Sequence, residues 1–185
     1  MRTSLKLTGL LIALLSLVIS AAAQETPPKF QQPILISSAG QSADMKLIEK
    51  LAGKEKLETK AVNMAQPSDL DGIKTLILVP GFSSKGLGAA GVSQNDEMAR
   101  VEVLIKAAQE KKIDIVMVHI GGTARRKGQS DAFNKISAEA SKQMIVVSQG
   151  DEDKFFTNIA KEKNIPIEIV EKIIDTAEPL GKLFK

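Results

Sequence analysis

The sequence predicts one α/β domain of Rossmann-like or flavodoxin-like three-layer build, with a mostly parallel sheet of five or six strands. Two observations lead to this fold class. Short apolar runs typical of buried strands alternate along the chain with segments whose apolar residues recur at helical spacing. Polar and glycine-rich turns separate these segments. Right-handed crossovers leave few topologies, so we expect the doubly wound strand order 2-1-3-4-5.

The N-terminal segment predicts export. Residues 1–23 combine a basic start, an apolar run over 10–19 and three alanines at 21–23, which is the plan of a cleaved signal peptide. A membrane anchor is the alternative, but the run is shorter than the roughly 20 residues that span a bilayer. We therefore expect a periplasmic or secreted protein with no stable membrane span after cleavage. A mobile polar tether follows over 24–32, and the domain occupies 33–185.

The elements of the domain differ in how strongly they are patterned. Residues 75–79 (TLILV) are almost wholly apolar, which is typical of a central parallel strand, whereas Lys and Glu interrupt 57–62 and favour a sheet edge. The strands are predicted at 33–36, 57–62, 75–79, 113–119 and 144–148, with a short sixth strand at 165–169. The helices are predicted near 45–52, 94–111, 130–141, 155–160 and 170–177.

Composition excludes several classes of partner. The chain has 25 basic and 22 acidic residues, and the signal peptide holds Arg2 and Lys6, so the mature protein is near neutral. This charge balance does not favour the basic surface of a nucleic-acid-binding protein. With no Trp, no Tyr and 3% aromatic residues, the chain also lacks the aromatic surfaces on which bases stack. With no Cys, the fold has no disulfides and the signal peptide has no lipid-attachment site. The oligomeric state stays open.

Polar loops follow the carboxyl ends of several predicted strands, where α/β sheets bind ligands. The loops cover 37–42, 81–88, 119–126 and 149–151. Their small residues allow close approach of a ligand, and their hydroxyl and cationic groups favour a small anion held between the loops after strands one, three and four. The predicted ligand-binding residues are Ser37, Ser38, Gln41, Ser83, Ser84, Lys85, Gly86, His119, Gly121, Gly122, Arg125 and Arg126. The alternative is that these residues only form the turns of the fold.

Residues 86–91 match the letters of the dinucleotide fingerprint G-x-G-x-x-G, but their context is wrong. They do not open directly after a strand, and Asp114 lies at the wrong end of the next strand to bind a ribose. The segment 81–86 also lacks the terminal Lys-Ser/Thr of a phosphate-binding P-loop. Dinucleotide binding through this motif is therefore not favoured, and the cofactor stays unknown. The glycine density over 81–91 instead predicts a flexible loop that closes over the cleft as a lid.

His119 is the only histidine and ends a predicted strand on the ligand side. It is a weak catalytic candidate: it could serve as a base for a loop serine, with Asp151 orienting it, in a hydrolase or transferase. The alternative is a structural histidine bonded to a neighbouring loop. One His without Cys leaves too few ligands to predict a metal site.

Four segments resemble a known family: ILISSAGQSAD, LILVPGFSSKGLGAAG, HIGGTARR and SQGDEDKFFTNIAKEKNIPIEIV. They are similar to an uncharacterised family of exported bacterial proteins, a domain of unknown function. The resemblance covers nearly the whole mature chain and implies the signal peptide and the α/β fold. It assigns no activity. Three functions therefore stay open: an anion-binding protein, the His119 enzyme and a partner-binding module.

Overall fold

The computed structural model of the protein describes residues 29–185. The predicted signal peptide and tether residues 24–28 lie outside the described residues. Tether residues 29–32 pack onto the domain. The backbone N–H of Phe30 donates to the carbonyl oxygen of Leu183 at 2.9 Å, and the buried Phe30 ring lies 6.1 Å from the ring of Phe184. The mobile tether predicted over 24–32 is therefore wrong for 29–32, because an aromatic side chain anchors this segment to the C-terminus.

Six strands form one parallel sheet, which confirms the predicted fold class. Their order is β2-β1-β3-β4-β5-β6, so the predicted doubly wound order holds and a sixth strand extends it. The strands are β1 (Ile34–Ala39), β2 (Thr59–Ala61), β3 (Thr75–Pro80), β4 (Asp114–His119), β5 (Gln143–Val147) and β6 (Ile167–Val170). The short, partly exposed β2 lies at a sheet edge, as its interrupted apolar pattern predicts.

Helices cover both faces of the sheet. They are α1 (Asp44–Lys54), α2 (Ser84–Ala90), α3 (Gln94–Glu110), α4 (Gly128–Ala140), α5 (Phe155–Lys163) and α6 (Ala177–Lys182). Short 3-10 turns occupy Pro67–Leu70, Gly122–Arg125, Ser148–Gly150 and Ile173–Thr176. Because side chains alternate along a strand, Ile34 and Ile36 pack with α1 on one face, while Leu35 packs with Val101 and Leu104 of α3 on the other. None of the helices formed by residues 29–185 combines the length and the apolar composition needed to cross a membrane.

The helix α2 contradicts the predicted flexible loop over 81–91. The Ser83 hydroxyl caps the helix by accepting from the backbone N–H of Gly86 at 3.1 Å, and Leu87 is buried beneath it. Gly91 ends the helix in a left-handed conformation with φ of 68°. A cap, a buried anchor and a terminating glycine thus outweigh the low helix propensity of the glycines between them.

Candidate functional site

The loops that follow β1 and β3 meet at the carboxyl edge of the sheet and fill the crevice between these strands. Gln41 pairs with Phe82 in an isolated antiparallel bridge. A Cβ on Gly40 would lie 2.7 Å from the carbonyl oxygen of Gly81, and one on Gly86 would collide with the carbonyl oxygen of Gln41. The chain itself therefore occupies the space between the loops that follow β1 and β3. Open space lies on either side of α2, and a smaller cavity lies between the chain that follows β4 and the chain that follows β5.

The first open space, the cationic cleft, lies between α2 and the chain that follows β4. Its volume is about 500 Å3. It brings together five of the predicted ligand-binding residues, namely Ser83, Ser84, Lys85, Arg125 and Arg126, and adds Lys127, Gln129 and Ser130. Within the described part of the chain, no Asp or Glu lines it. The lining of the cleft therefore carries cationic and hydroxyl groups and, among the described residues, no carboxylate.

Arg125 is held at the wall of the cationic cleft by the backbone. Its Nη1 donates to the carbonyl oxygen of Phe82 at 2.8 Å, and its Nε lies 3.8 Å from Oδ2 of Asp44. The side chain stays 30% exposed, so a ligand can still reach its guanidinium. Arg125 thus forms an ion pair with Asp44 that has no hydrogen bond between the two side chains, and Asp44 partly offsets its positive charge.

The sequence predicts that Arg126 binds the ligand, but its guanidinium group contacts other side chains of the protein. Its Nε donates to Asp131 at 2.8 Å, its Nη1 donates to Asp153 at 2.9 Å, and its guanidinium carbon lies 4.3 Å from the centre of the Phe155 ring. Burial lowers the pKa of Arg126, but the hydrogen bonds to Asp153 and Asp131 outweigh that effect and raise it. Two carboxylates thus neutralise this cation, and only 5% of its side chain is exposed.

The second open space, the amphipathic cleft, lies on the opposite side of α2, next to the ends of β1 and β2. Its volume is about 660 Å3. It includes the predicted residues Gln41, Ser83, Lys85 and Gly86, and adds Ser42, Ala43, Met45, Lys46, Asn63, Met64, Ala89 and Ala90. Gln41 is 3% exposed and adopts a positive φ of 63°. Its Oε1 accepts from Asn63, while its Nε2 is buried without an acceptor among residues 29–185.

Four further predicted residues lie outside both clefts. Ser37 and Ser38 are fully buried in β1, where their hydroxyls donate to the carbonyl oxygens of Asn63 at 3.3 Å and Ser42 at 3.4 Å, respectively. Gly121 packs against the Arg125 side chain so closely that no Cβ would fit, and Gly122 has a φ of 53° that favours glycine. These residues shape the loops, as the turn alternative predicts.

His119 is completely buried and belongs to neither cleft. Its Nε2 lies 3.2 Å from the carbonyl oxygen of Arg125, and the centre of its ring lies 4.8 Å from that of Phe156, with the two rings tilted by 47°. Burial lowers its pKa to about 4. Among residues 29–185, no serine hydroxyl hydrogen-bonds to the ring, which matches the structural alternative. Asp151 does not orient His119 either, because it accepts from the backbone N–H of Phe156 at 2.7 Å.

Comparison with known proteins identifies the family. Residues 31–184 match the family described as a domain of unknown function, DUF6305. The chain belongs to this family. The match confirms the resemblance seen in the sequence, and the DUF6305 region spans the whole sheet and both clefts. No match is found among curated proteins.

Solved structures show weak likeness to this DUF6305 chain. A GDSL-like lipase from Bacteroides thetaiotaomicron is 8% identical, with 76% of this chain and 68% of the lipase covered and a TM-score of 0.34. A lipolytic protein of the G-D-S-L family from Desulfitobacterium hafniense is 13% identical, with 75% and 77% covered and a TM-score of 0.33. The psychrotrophic esterase EstA from a Pseudoalteromonas species is 14% identical, with 74% and 76% covered and a TM-score of 0.29. Likeness at this level transfers no activity.

Two residues that support the site were missed in the sequence, Glu97 and Arg100 of α3. Both are buried, and Arg100 donates to Glu97 at 2.7 Å. Glu97 also accepts from the backbone N–H of Gly40 at 2.9 Å, directly before Gln41. A signal was present, because charged residues three apart fall within the apolar face of the predicted helix.

Within residues 29–185, no three His, Asp or Glu side chains form a metal-binding group.

Proposed function

We propose that this DUF6305 chain is an exported protein that binds a small anionic ligand, such as a phosphate or a carboxylate, in the cationic cleft. The observation that carries the proposal is the lining of that cleft. It includes Lys85, Arg125 and Lys127, and no carboxylate lines it within residues 29–185. Export rests on the signal peptide predicted over 1–23.

The chemistry of the cationic cleft suits an anion with several oxygen atoms. Ammonium and guanidinium groups donate charge-assisted hydrogen bonds to such oxygens, and the Ser84 hydroxyl and the Gln129 amide add neutral donors. The cleft is open and its cations are partly solvated, so each contact contributes only about 0.2–1 kcal/mol. We therefore expect weak binding, with a Kd on the order of a millimolar or higher, which weakens further as the salt concentration rises.

The proposal is tested by thermal-shift screening against phosphate, sulfate, nucleotides and simple carboxylates. A ligand that binds only the folded state raises the free energy of unfolding by about 2.7 kcal/mol at a hundredfold excess over its Kd. We expect stabilisation of the wild type by at least one anion, and a smaller effect in Lys85→Gln and Lys127→Gln. Lys50→Gln is the matched control, since Lys50 is an exposed lysine that lies outside both clefts. The proposal fails if no anion stabilises the wild type more than the two cleft variants.

The same protein preparations address the enzyme alternative. Ester, phosphoester and amide substrates are assayed with the wild type and with His119→Gln. We expect no turnover that depends on His119, because its ring is buried, has a lowered pKa and contacts a backbone carbonyl oxygen. Turnover by the wild type that is lost in His119→Gln, with the fold intact, would favour the hydrolase or transferase over simple binding.

A further inference from the structure

We infer that the amphipathic cleft is a second, separate binding site, whose ligand is a short aliphatic carboxylate. The two clefts share only Ser83 and Lys85, and α2 stands between them. The cationic cleft is lined mainly by polar and charged groups, whereas the amphipathic cleft also has an apolar wall. A different lining on each side of one helix implies a different ligand chemistry on each side.

The apolar wall is formed by Met45, Met64, Ala89 and Ala90. Methionine side chains are flexible and polarizable, so they adapt to aliphatic chains of different shape. The short side chains of Ala89 and Ala90 leave room for a ligand beside α2. The volume of about 660 Å3 lies within the range of small-molecule sites. This wall suits an aliphatic chain, which a phosphate or sulfate ion does not have.

A polar group of the ligand is implied by Gln41. This side chain forms part of the cleft wall and is 3% exposed, and its Nε2 has no acceptor among the described residues. A buried donor without an acceptor is unfavourable, and native proteins rarely leave one unpaired. Its Oε1 accepts from Asn63, so Nε2 is the atom of this amide that lacks a partner among the described residues. An oxygen atom of a ligand would satisfy this donor.

The sign of the charge on the ligand follows from the lysines. Lys46 and Lys85 line the amphipathic cleft, and no Asp or Glu lines it within residues 29–185. Glu49, the exposed ion-pair partner of Lys46, lies outside the cleft at 3.1 Å from the ammonium group. An acceptor with negative charge is therefore favoured over a neutral carbonyl group. An aliphatic chain and an anionic acceptor together define an aliphatic carboxylate.

Methionine methyl groups give a direct test. In protein labelled with methyl-13C methionine, the half-buried Met64 is the main reporter on the cleft, and Met45, which lines the cleft but is 1% exposed, is a second one. Met117 and Met144 lie in the sheet, do not line the cleft and serve as internal controls. Butanoate, hexanoate and octanoate are titrated, with inorganic phosphate and 1-octanol for comparison. We expect saturable shifts of the cleft methyl groups with the carboxylates and no shift of Met117 or Met144.

Affinity should rise with chain length, by up to roughly fourfold for each methylene group that the cleft buries. Octanoate should bind more tightly than 1-octanol. Lys46→Gln should weaken octanoate roughly two- to fivefold, and Lys50→Gln, one turn along the same exposed side of α1, should not. Ala89→Glu should weaken it further, because it adds a carboxylate to the wall of the cleft.

The inference is overturned if chain length has no effect, if phosphate shifts the Met64 methyl group as octanoate does, or if Lys46→Gln and Lys50→Gln bind octanoate equally. Neither Lys46 nor Met64 lines the cationic cleft. If octanoate does not bind in the amphipathic cleft, the proposed anion site in the cationic cleft is therefore unaffected. If the cationic cleft binds no anion, the inference of octanoate binding is likewise unaffected. Octanoate that shifts Met117 and Met144 as well would report partial unfolding of the core and would also overturn the inference.

Discussion

The Nε of Arg100 donates to Oε2 of Glu97 at 2.7 Å, and this ion pair is buried under the loop that follows β1. Arg100 also donates to the carbonyl oxygens of Ser38 at 2.6 Å and Ala65 at 2.9 Å, while Glu97 accepts from the N–H of Gly40 at 2.9 Å. One ion pair therefore holds the end of β1 and the backbone directly before Gln41. Neither residue lines a cleft, but the pair supports the loop that carries Gln41 into the amphipathic cleft.

Replacing one member of this pair should be costly. Arg100→Met leaves the Glu97 carboxylate buried without its cation, which typically costs about 3–5 kcal/mol of unfolding free energy. Lys111→Met is the control, because the Lys111–Asp71 pair at 2.8 Å is exposed and should contribute less than about 1 kcal/mol. Urea unfolding followed by circular dichroism measures both variants, since the chain has no Trp or Tyr. Equal, small losses would contradict the role assigned to Arg100.

The two glycines of α2 should respond in opposite ways to substitution. Gly86→Ala should destabilise the protein by about 1–3 kcal/mol, because its Cβ would collide with the carbonyl oxygen of Gln41. Gly88→Ala, with no atom within 4 Å of its Cβ, should stabilise it by up to about 1 kcal/mol through helix propensity. Thermal and urea unfolding of the two variants provide the comparison. Stabilisation by both substitutions would mean that α2 does not pack against Gln41.

Stability should depend on pH through His119. Burial lowers its folded pKa to about 4, from an ordinary value near 6.5 in the unfolded chain. Between these values only the unfolded chain binds the proton. The stabilising contribution is therefore complete above about pH 6.5 and decreases by on the order of 3 kcal/mol as the pH falls towards 4.

His119→Gln removes this titration, so its unfolding free energy should vary less between pH 4 and 6.5 than that of the wild type. The ring protons of the only histidine give an independent NMR measurement of the folded pKa. A titration midpoint near 6.5 in the folded protein, or equal pH dependence in both proteins, would show that the ring is solvated.

Hydrogen exchange distinguishes the helix α2 from the predicted flexible loop. The N–H of Leu87 donates to the carbonyl oxygen of Ser83 at 2.9 Å, and that of Val92 donates to Leu87 at 3.1 Å. We expect these amides to exchange at least roughly tenfold slower than in an unstructured peptide, without any ligand. Exchange at unstructured rates, with slowing only after an anion is added, would restore the lid model.

The sheet was predictable because its information is local. Each central strand is a short apolar run, such as 75–79, and right-handed crossovers leave few topologies, of which the doubly wound order is the one observed. The placement of polar loops at the carboxyl edge follows from the same topology. The edge strand β2 was also identified, since charged residues interrupt its apolar pattern.

The parts that failed depend on contacts between distant residues. Arginine is a residue type that often binds anions, but Asp153, 27 residues away along the chain, neutralises the charge of Arg126. Glycine content over 81–91 predicts a loop, yet the cap at Ser83 and the packing of Gly86 against Gln41 stabilise a helix. No sequence pattern shows that Arg126 meets Asp153 or that Gly86 meets Gln41, because the partners lie far apart along the chain.

Backbone amide NMR with inorganic phosphate tests whether the cationic cleft binds an anion. We expect saturable shifts confined to amides around 82–85 and 124–130, which weaken as salt is added and are reduced in Lys127→Gln. Lys50→Gln should titrate as the wild type does. Shifts that do not saturate, that spread over the whole surface, or that persist unchanged in Lys127→Gln would contradict the account.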